Sequence, residues 1–230
     1  MRSPVVPTPI DHDEVLRSLE RETAVLLDRV LGEFLDLDLD REPVLEDFTA
    51  GQVLTYLSRE ADRMADELLI ATGRPLPRYD ADRRWDLDRG GLRPGAVLIE
   101  DFVESSERLS DAIASVGDWS TLDNSVYSIP GRRLVQLIVH HADLSRPWNE
   151  LPEQDASIAV ALLPSVIPEE LGGVSLVARA EHPSMLSQTS DGLTVVEGDP
   201  RRILAWVSGR RFAGDPVDAS LPDLGTRIWF

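Results

Sequence analysis

The feature that most constrains this chain is the recurrence of apolar residues at three- and four-residue spacing in four long stretches, each cut off by proline, glycine or charge. That spacing gives a helix one face to bury. The first stretch covers residues 13–35, with Val15, Leu16, Leu19, Leu26, Leu27, Val30, Leu31, Phe34 and Leu35 along one side. The second runs from about Gly51 to Thr72, with Thr49 as its cap, Gly73 as its stop and Val53, Leu54, Leu57, Ala61, Met64, Ala65 and Leu68 as its core face. Pro94 opens the third, which runs to about Val116 and turns Val97, Phe102, Val103, Leu109, Ile113 and Val116 inward. The fourth, Gly131 to Leu144, carries Leu134, Leu137, Ile138, His141 and Leu144 as its stripe. Four amphipathic helices in succession imply a four-helix bundle with its site between facing helices.

Between the first two helices, LDLDLDREP alternates like a strand, yet Pro43 and the acidic residues favour a connecting turn. The segment RPLPRYDADRRWDLDRGGLRPG reads as a long loop with room for one helical turn. Beyond Trp148 the texture changes. Asp155 to Leu163 suits a short helix, Val174 to Arg179 and Gly192 to Val196 suit strands, and Pro200 to Val207 suits another helix. The expected organisation is a bundle over residues 1–148 and a small α+β domain over 149–230.

Composition narrows the function classes. With 42% hydrophobic and 28% charged residues the chain has the balance of a soluble globular protein, and no apolar run approaches the roughly 18 residues of a membrane span. The opening MRSPVVPTPIDHDE lacks a signal-peptide pattern, which predicts a cytoplasmic protein. A formal net charge of -18 argues against nucleic-acid and anionic-membrane partners, because phosphates require clustered Lys and Arg. Local pairs do occur at Arg83 and Arg84, Arg132 and Arg133, Arg201 and Arg202, and Arg210 and Arg211; most such pairs are surface, but one of them can receive an anionic substrate. A small molecule is the expected partner, bound by a monomer or homodimer. The chain has no cysteine, so any thiol chemistry must use a thiol brought from outside.

The chemistry concentrates on the fourth helix. Gln136 and His140 are four residues apart, so their side chains stack one turn apart beside the packed face and suit a two-pronged ligand site. The same spacing also suits a histidine at a helix border bonded to a neighbouring carbonyl.

Several motifs carry a resemblance. GQVLTYLSREADRMADELL resembles the second-helix signature of the mycothiol-dependent maleylpyruvate isomerase family, within the DinB-like superfamily, usually close to GHVLTHLARNAD. RYDADRRWDLDRG followed by SSERLSDAI resembles the family's third-helix region. RRLVQLIVHHADL is similar to its fourth-helix R-x-x-E-V-x-x-H-x-x-D-L, and GDPRRILAWVSGR, followed by LPDL, to its C-terminal Trp-x-x-Gly-Arg motif. The resemblance implies a DinB-like four-helix bundle followed by a small sterol-carrier-like α/β domain, with mycothiol as thiol cofactor and a divalent metal, usually zinc. It places the family's metal ligands on Tyr56, Gln136 and His140, so only the last is retained, and the other signature histidine becomes Gln52. Zinc is held by imidazole, thiolate and carboxylate, not by a neutral phenol and an amide, so no tightly bound metal is expected. Asp143 and His141 flank the site as candidate substitute ligands, but Asp143 also matches an ordinary family position and His141 lies on the packed stripe.

Two functional readings follow. In the first, the protein is an isomerase or thiol transferase acting on a small anionic or electrophilic metabolite without the usual zinc. His140 serves as acid or base, Tyr56 as proton donor and Arg210 as the grip for a carboxylate reached from the C-terminal domain, with Gln136, Gln52 and Arg133 as substrate-binding residues. As a pocket residue, His140 is expected to contribute little to stability. In the second, the old pocket holds a small ligand or partner without catalysis.

Overall fold

The computed structural model describes residues 11–33, 43–45, 48–75, 87–144, 146–167, 174–179, 185–190 and 193–210. The LDLDLD alternation, Arg83, Arg84, Arg211 and the LPDL segment lie outside them. The chain divides into two compact units, Leu19–Ser145 and a second formed by Met1–Ser18 with Arg146–Trp229.

In the first unit the long elements are helices, as the apolar spacing requires. Helix α1 (His12–Glu33) begins in the other unit and continues into this one. A short antiparallel hairpin of β1 (Pro43–Leu45) and β2 (Phe48–Thr49) leads into α2 (Ala50–Ala71). Pro43, expected in a turn, is instead the first residue of a strand, a position where its missing N–H costs no ladder bond. Thr49 closes α2 with a capping box: its Oγ1 accepts from the Gln52 N–H at 3.2 Å, and Gln52 Oε1 accepts from the Thr49 N–H at 2.9 Å. At the other end Gly73 takes φ 67°, and the Gly73 and Arg74 N–H groups donate to the Ile70 and Leu69 carbonyls, satisfying carbonyls that the helix leaves open.

Helix α3 (Leu87–Gly91) is the single turn allowed for in the long loop, and α4 (Gly95–Ala114), α5 (Asn124–Tyr127) and α6 (Ile129–Asp143) complete the unit. The seven apolar residues expected on the inner face of α2 are all buried, as are Leu134, Leu137, Ile138, His141 and Leu144 of the α6 stripe. Two expectations fail by one position on a helix face: Leu31 and Val97 are 45% and 41% exposed, and on α4 it is Leu98 and Ile99 that are buried. Between α2 and α4, Ala61, Met64, Ala65 and Leu68 meet Leu109 and Ala112, with Ile129 beside them. The small residues let the two axes approach. Trp119, Leu122 and Val126, from the connection after α4, pack over this cluster. Polar bonds reinforce the same layer: Asp101 on α4 accepts from Arg59 of α2 at 3.1 Å and from Arg93 at 2.9 Å, while Arg108 reaches Asp62.

The C-terminal unit contains α7 (Glu153–Val166), α8 (Pro200–Val207) and a three-stranded sheet in the order β3 (Val174–Ala178), β5 (Leu193–Gly198), β4 (Leu186–Ser190). The outer strands run parallel and antiparallel, respectively, to β5. Strand β4 was not anticipated: LSQTS offers few apolar residues, and it is defined by backbone pairing to β5. Helix α8 ends as expected at Gly209, φ 71°, with the Arg210 N–H on the Ala205 carbonyl at 2.7 Å. The molecule is therefore a helical bundle with a small α/β part. None of its described helices is long and apolar enough to cross a membrane.

Candidate functional site

The bundle brings Tyr56, Arg133, Gln136 and His140 into one polar patch between α2 and α6. Tyr56 lies on the buried side of α2, 6% exposed, with its ring edge-on to the His140 imidazole at 5.4 Å between centroids. Its hydroxyl oxygen accepts from Gln136 Nε2 at 3.1 Å. Burial, and then the negative charge of Glu60, push the Tyr56 phenol above its ordinary pKa against the opposing pull of Arg133, so the hydroxyl stays protonated.

Glu60, one turn along α2, was not singled out from the sequence. Its carboxylate accepts from Gln136 Nε2 at 3.4 Å and is held by Arg63 through Nε–Oε1 at 3.0 Å and through Nη2–Oε2. Burial pushes the Glu60 pKa up, but the bonds from Arg63 and Gln136 outweigh it and hold the group below its ordinary value. An ionised carboxylate only accepts, which settles the Gln136 amide: its NH₂ faces Glu60 and Tyr56, and its Oε1 faces away. The signal available in the sequence was the four-residue step from Tyr56 to Glu60, which puts both on one helix face.

His140 is 2% exposed, and its Nδ1 lies 2.8 Å from Asp143 Oδ2, a side chain that is itself 1% exposed. With the carboxylate accepting, the ring proton sits on Nδ1 and the basic lone pair on Nε2. Asp143 thus orients His140. The neighbouring His141 turns the other way, to the stripe, where Nδ1 meets Glu22 Oε1 of α1 at 2.8 Å between fully buried groups.

Arg133 is buried, and its Nη1 donates to the Leu57 carbonyl at 2.9 Å. Its Nη2 has no hydrogen-bond partner among the described residues, and neither has Gln136 Oε1. Desolvation lowers the guanidinium to about 10, although the negative charges of Glu60 and Asp62 favour its cationic form. Gln52, one turn before Tyr56, spends its amide oxygen on the α2 cap. Arg210 belongs to the C-terminal unit, where its Nη1 donates to the Ser208 carbonyl.

The structure is thus a helical bundle that carries this polar cluster between α2 and α6, with a small α/β part. Residues 20–145, more than half of the chain, match the family described as the mycothiol maleylpyruvate isomerase N-terminal domain, and the protein belongs to that family. Its fold is similar to the crystal structure of the mycothiol-dependent maleylpyruvate isomerase, with 17% identity, a TM-score of 0.67 and coverage of 89% of this chain and 92% of that one. A histidine-to-alanine mutant of that enzyme matches at 17% identity and a TM-score of 0.66 over the same shares. No curated protein matches the sequence.

Proposed function

We propose that this protein is a thiol-dependent isomerase or S-transferase of its family, acting on a small anionic or electrophilic metabolite, with mycothiol as the incoming thiol and without zinc. The observation that carries the reading is the His140–Asp143 pair set edge-on to Tyr56: an oriented base beside a protonated phenol. His140 Nε2 takes the proton of the thiol, which the cysteine-free chain cannot supply itself. The thiolate then adds to an electron-poor carbon–carbon double bond, forming a C–S bond and an enolate whose oxygen Tyr56 stabilises as a donor. Rotation about the resulting single bond and expulsion of the thiolate give the isomer, while a leaving group on the substrate gives transfer instead. A thiol crosses to a buried imidazole at little desolvation cost because it is neutral until it is deprotonated. The protein would work in the cytoplasm, with no nucleic-acid or membrane partner, as a monomer or homodimer.

The donor set does not fit zinc. Of the family's three ligand positions, Tyr56 holds a neutral phenol and Gln136 a neutral amide whose N–H groups are directed at Tyr56 and Glu60, leaving His140 as the only ordinary zinc ligand of the three. Of the two carboxylates beside these positions, Glu60 is held by Arg63 and Asp143 by His140. Elemental analysis of the purified protein should find no stoichiometric zinc, and about one tightly held metal per chain would refute the assignment. Tyr56→His with Gln136→Glu should create zinc affinity measurable by calorimetry.

A second reading, a non-catalytic ligand-binding protein, is favoured by one observation: the Gln136–Tyr56 bond ties two former ligand positions together over a His140 that is 2% exposed. Turnover decides between them. Mycothiol with maleylpyruvate and related cis-enoates should give thiol-dependent isomerisation that Asp143→Asn lowers by about 100-fold or more, through loss of the base's orientation. Saturable binding with no thiol-dependent turnover in the parent protein would establish the second reading instead.

A further inference from the structure

Resting on the assignment of the α2–α6 patch as the site, we propose that it takes a small carboxylate bearing a hydrogen-bond donor on the adjacent carbon, as in a 2-hydroxy acid, the carboxylate on Arg133 Nη2 and the donor on Gln136 Oε1. Both atoms are buried without a partner among the described residues, whereas buried polar atoms are paired in nine cases out of ten or more. They belong to residues three apart on α6, which are neighbours on one helix face. Arg133 reaches the carbonyl of Leu57, and Gln136 reaches the hydroxyl of Tyr56, so both side chains lead to the same stretch of α2.

The pair has a defined chemical complement. Arg133 is a cation bonded to a carbonyl, with no carboxylate bonded to it among the described residues, since Glu60 is taken by Arg63. It therefore calls for an anionic acceptor. Gln136 Oε1 is an acceptor only, and it cannot be exchanged with the amide nitrogen because that nitrogen serves ionised Glu60 and Tyr56. It therefore calls for a donor. A plain carboxylate satisfies only Arg133, and a second cation at Gln136 would face the guanidinium. Exposure gives the direction of entry: Gln136 and Glu60 are partly exposed, while Arg133 at 1% and His140 at 2% are buried behind them. Glu60 acts here as a positioning residue that fixes the amide.

Binding of glycolate, acetate and neutral glycolamide to the intact protein, followed by calorimetry without thiol, tests the proposal. Glycolate should bind about 10-fold tighter or better than either of the others, the worth of one satisfied buried polar group. Arg133→Met should weaken glycolate at least as much. Gln136→Met, at a partly exposed position and therefore tolerated by the fold even if the arginine variant is not, should reduce glycolate to the affinity of acetate. Equal affinity of glycolate and acetate in the parent, or an unchanged preference in Gln136→Met, would overturn the proposal. So would the absence of saturable binding up to about 50 mM, which would mean that the two atoms share an ordered water only. The assay contains no thiol and no turnover, so failure of the isomerase reading leaves its outcome intact, and its own failure leaves thiol-dependent turnover to be judged separately.

Discussion

Arg133 shows how a single buried charge can be costly to a fold. Its folded pKa of about 10 lies below the ordinary 12.5, so the cationic form is disfavoured by folding at every pH below about 10, and the cost fades as pH rises above that value. Arg133→Met should therefore leave the thermal midpoint at pH 7 unchanged or raised, because replacing a buried charge by an apolar side chain of similar volume is commonly neutral or stabilising. A midpoint lowered by several degrees in thermal denaturation would show that the arginine holds the bundle together. Glu60 behaves oppositely. Its folded pKa lies below the unfolded value of about 4.5, so its contribution is complete above that pH and is lost as pH falls through the lower folded value. In acid titrations of stability, Glu60→Gln should lose less than the parent as pH falls below about 4.5. For His140 the structure revises the expectation of little effect on stability: His140→Ala would leave the buried Asp143 carboxylate without the imidazole, at about 1–3 kcal/mol or more, so Asp143→Asn is the cleaner probe of function.

At the scale of elements, the bundle is closed by contacts that tolerate no side chain. Helix α3 lies on the start of α2 through Gly90 and Gly91. A Cβ at Gly91 would stand 2.6 Å from Gln52 Cγ and 3.0 Å from its backbone nitrogen, and one at Gly90 would stand 2.4 Å from Thr55 Cγ2. The backbone of α2 cannot yield, so Gly91→Ala should destabilise the protein by about 1–3 kcal/mol. Gly32→Ala is the matched control: a Cβ there meets nothing, and the helical position should gain up to about 1 kcal/mol. Denaturant midpoints that moved in the same direction for both variants would contradict this packing. The His141–Glu22 pair is a buried polar link between α1 and α6, and removing either partner takes away a 2.8 Å bond made out of water.

For the whole molecule the dominant global quantity is a net charge of -18, which repels itself in the compact state. Raising ionic strength from about 0.01 M to 0.15 M shortens the screening length from roughly 30 Å to 8 Å and should raise the thermal midpoint. A midpoint that fell with salt would mean that the Arg–Asp bonds of the α2–α4 layer outweigh the global repulsion.

The sequence by itself determined the helices, their caps and stops, and the families of residues they bury. Those features are local: a repeat near 3.6 residues, Thr49 before an apolar run, and Gly73 and Gly209 where the chain must take a positive φ. The bundle followed by an α/β part was legible for the same reason; Gln136 and His140 could be paired because they lie one turn apart on one helix, and Tyr56 was joined to them only by the family resemblance. Only the tertiary structure decided what those side chains do. The orientation of the Gln136 amide depends on Glu60, the tautomer of His140 on Asp143, and the commitment of His141 on a glutamate 119 residues away. Strand β4 exists through its pairing with β5. Hydrogen-bond direction, burial and charge compensation are properties of neighbours in space, and a residue's own sequence context does not specify which neighbours will arrive.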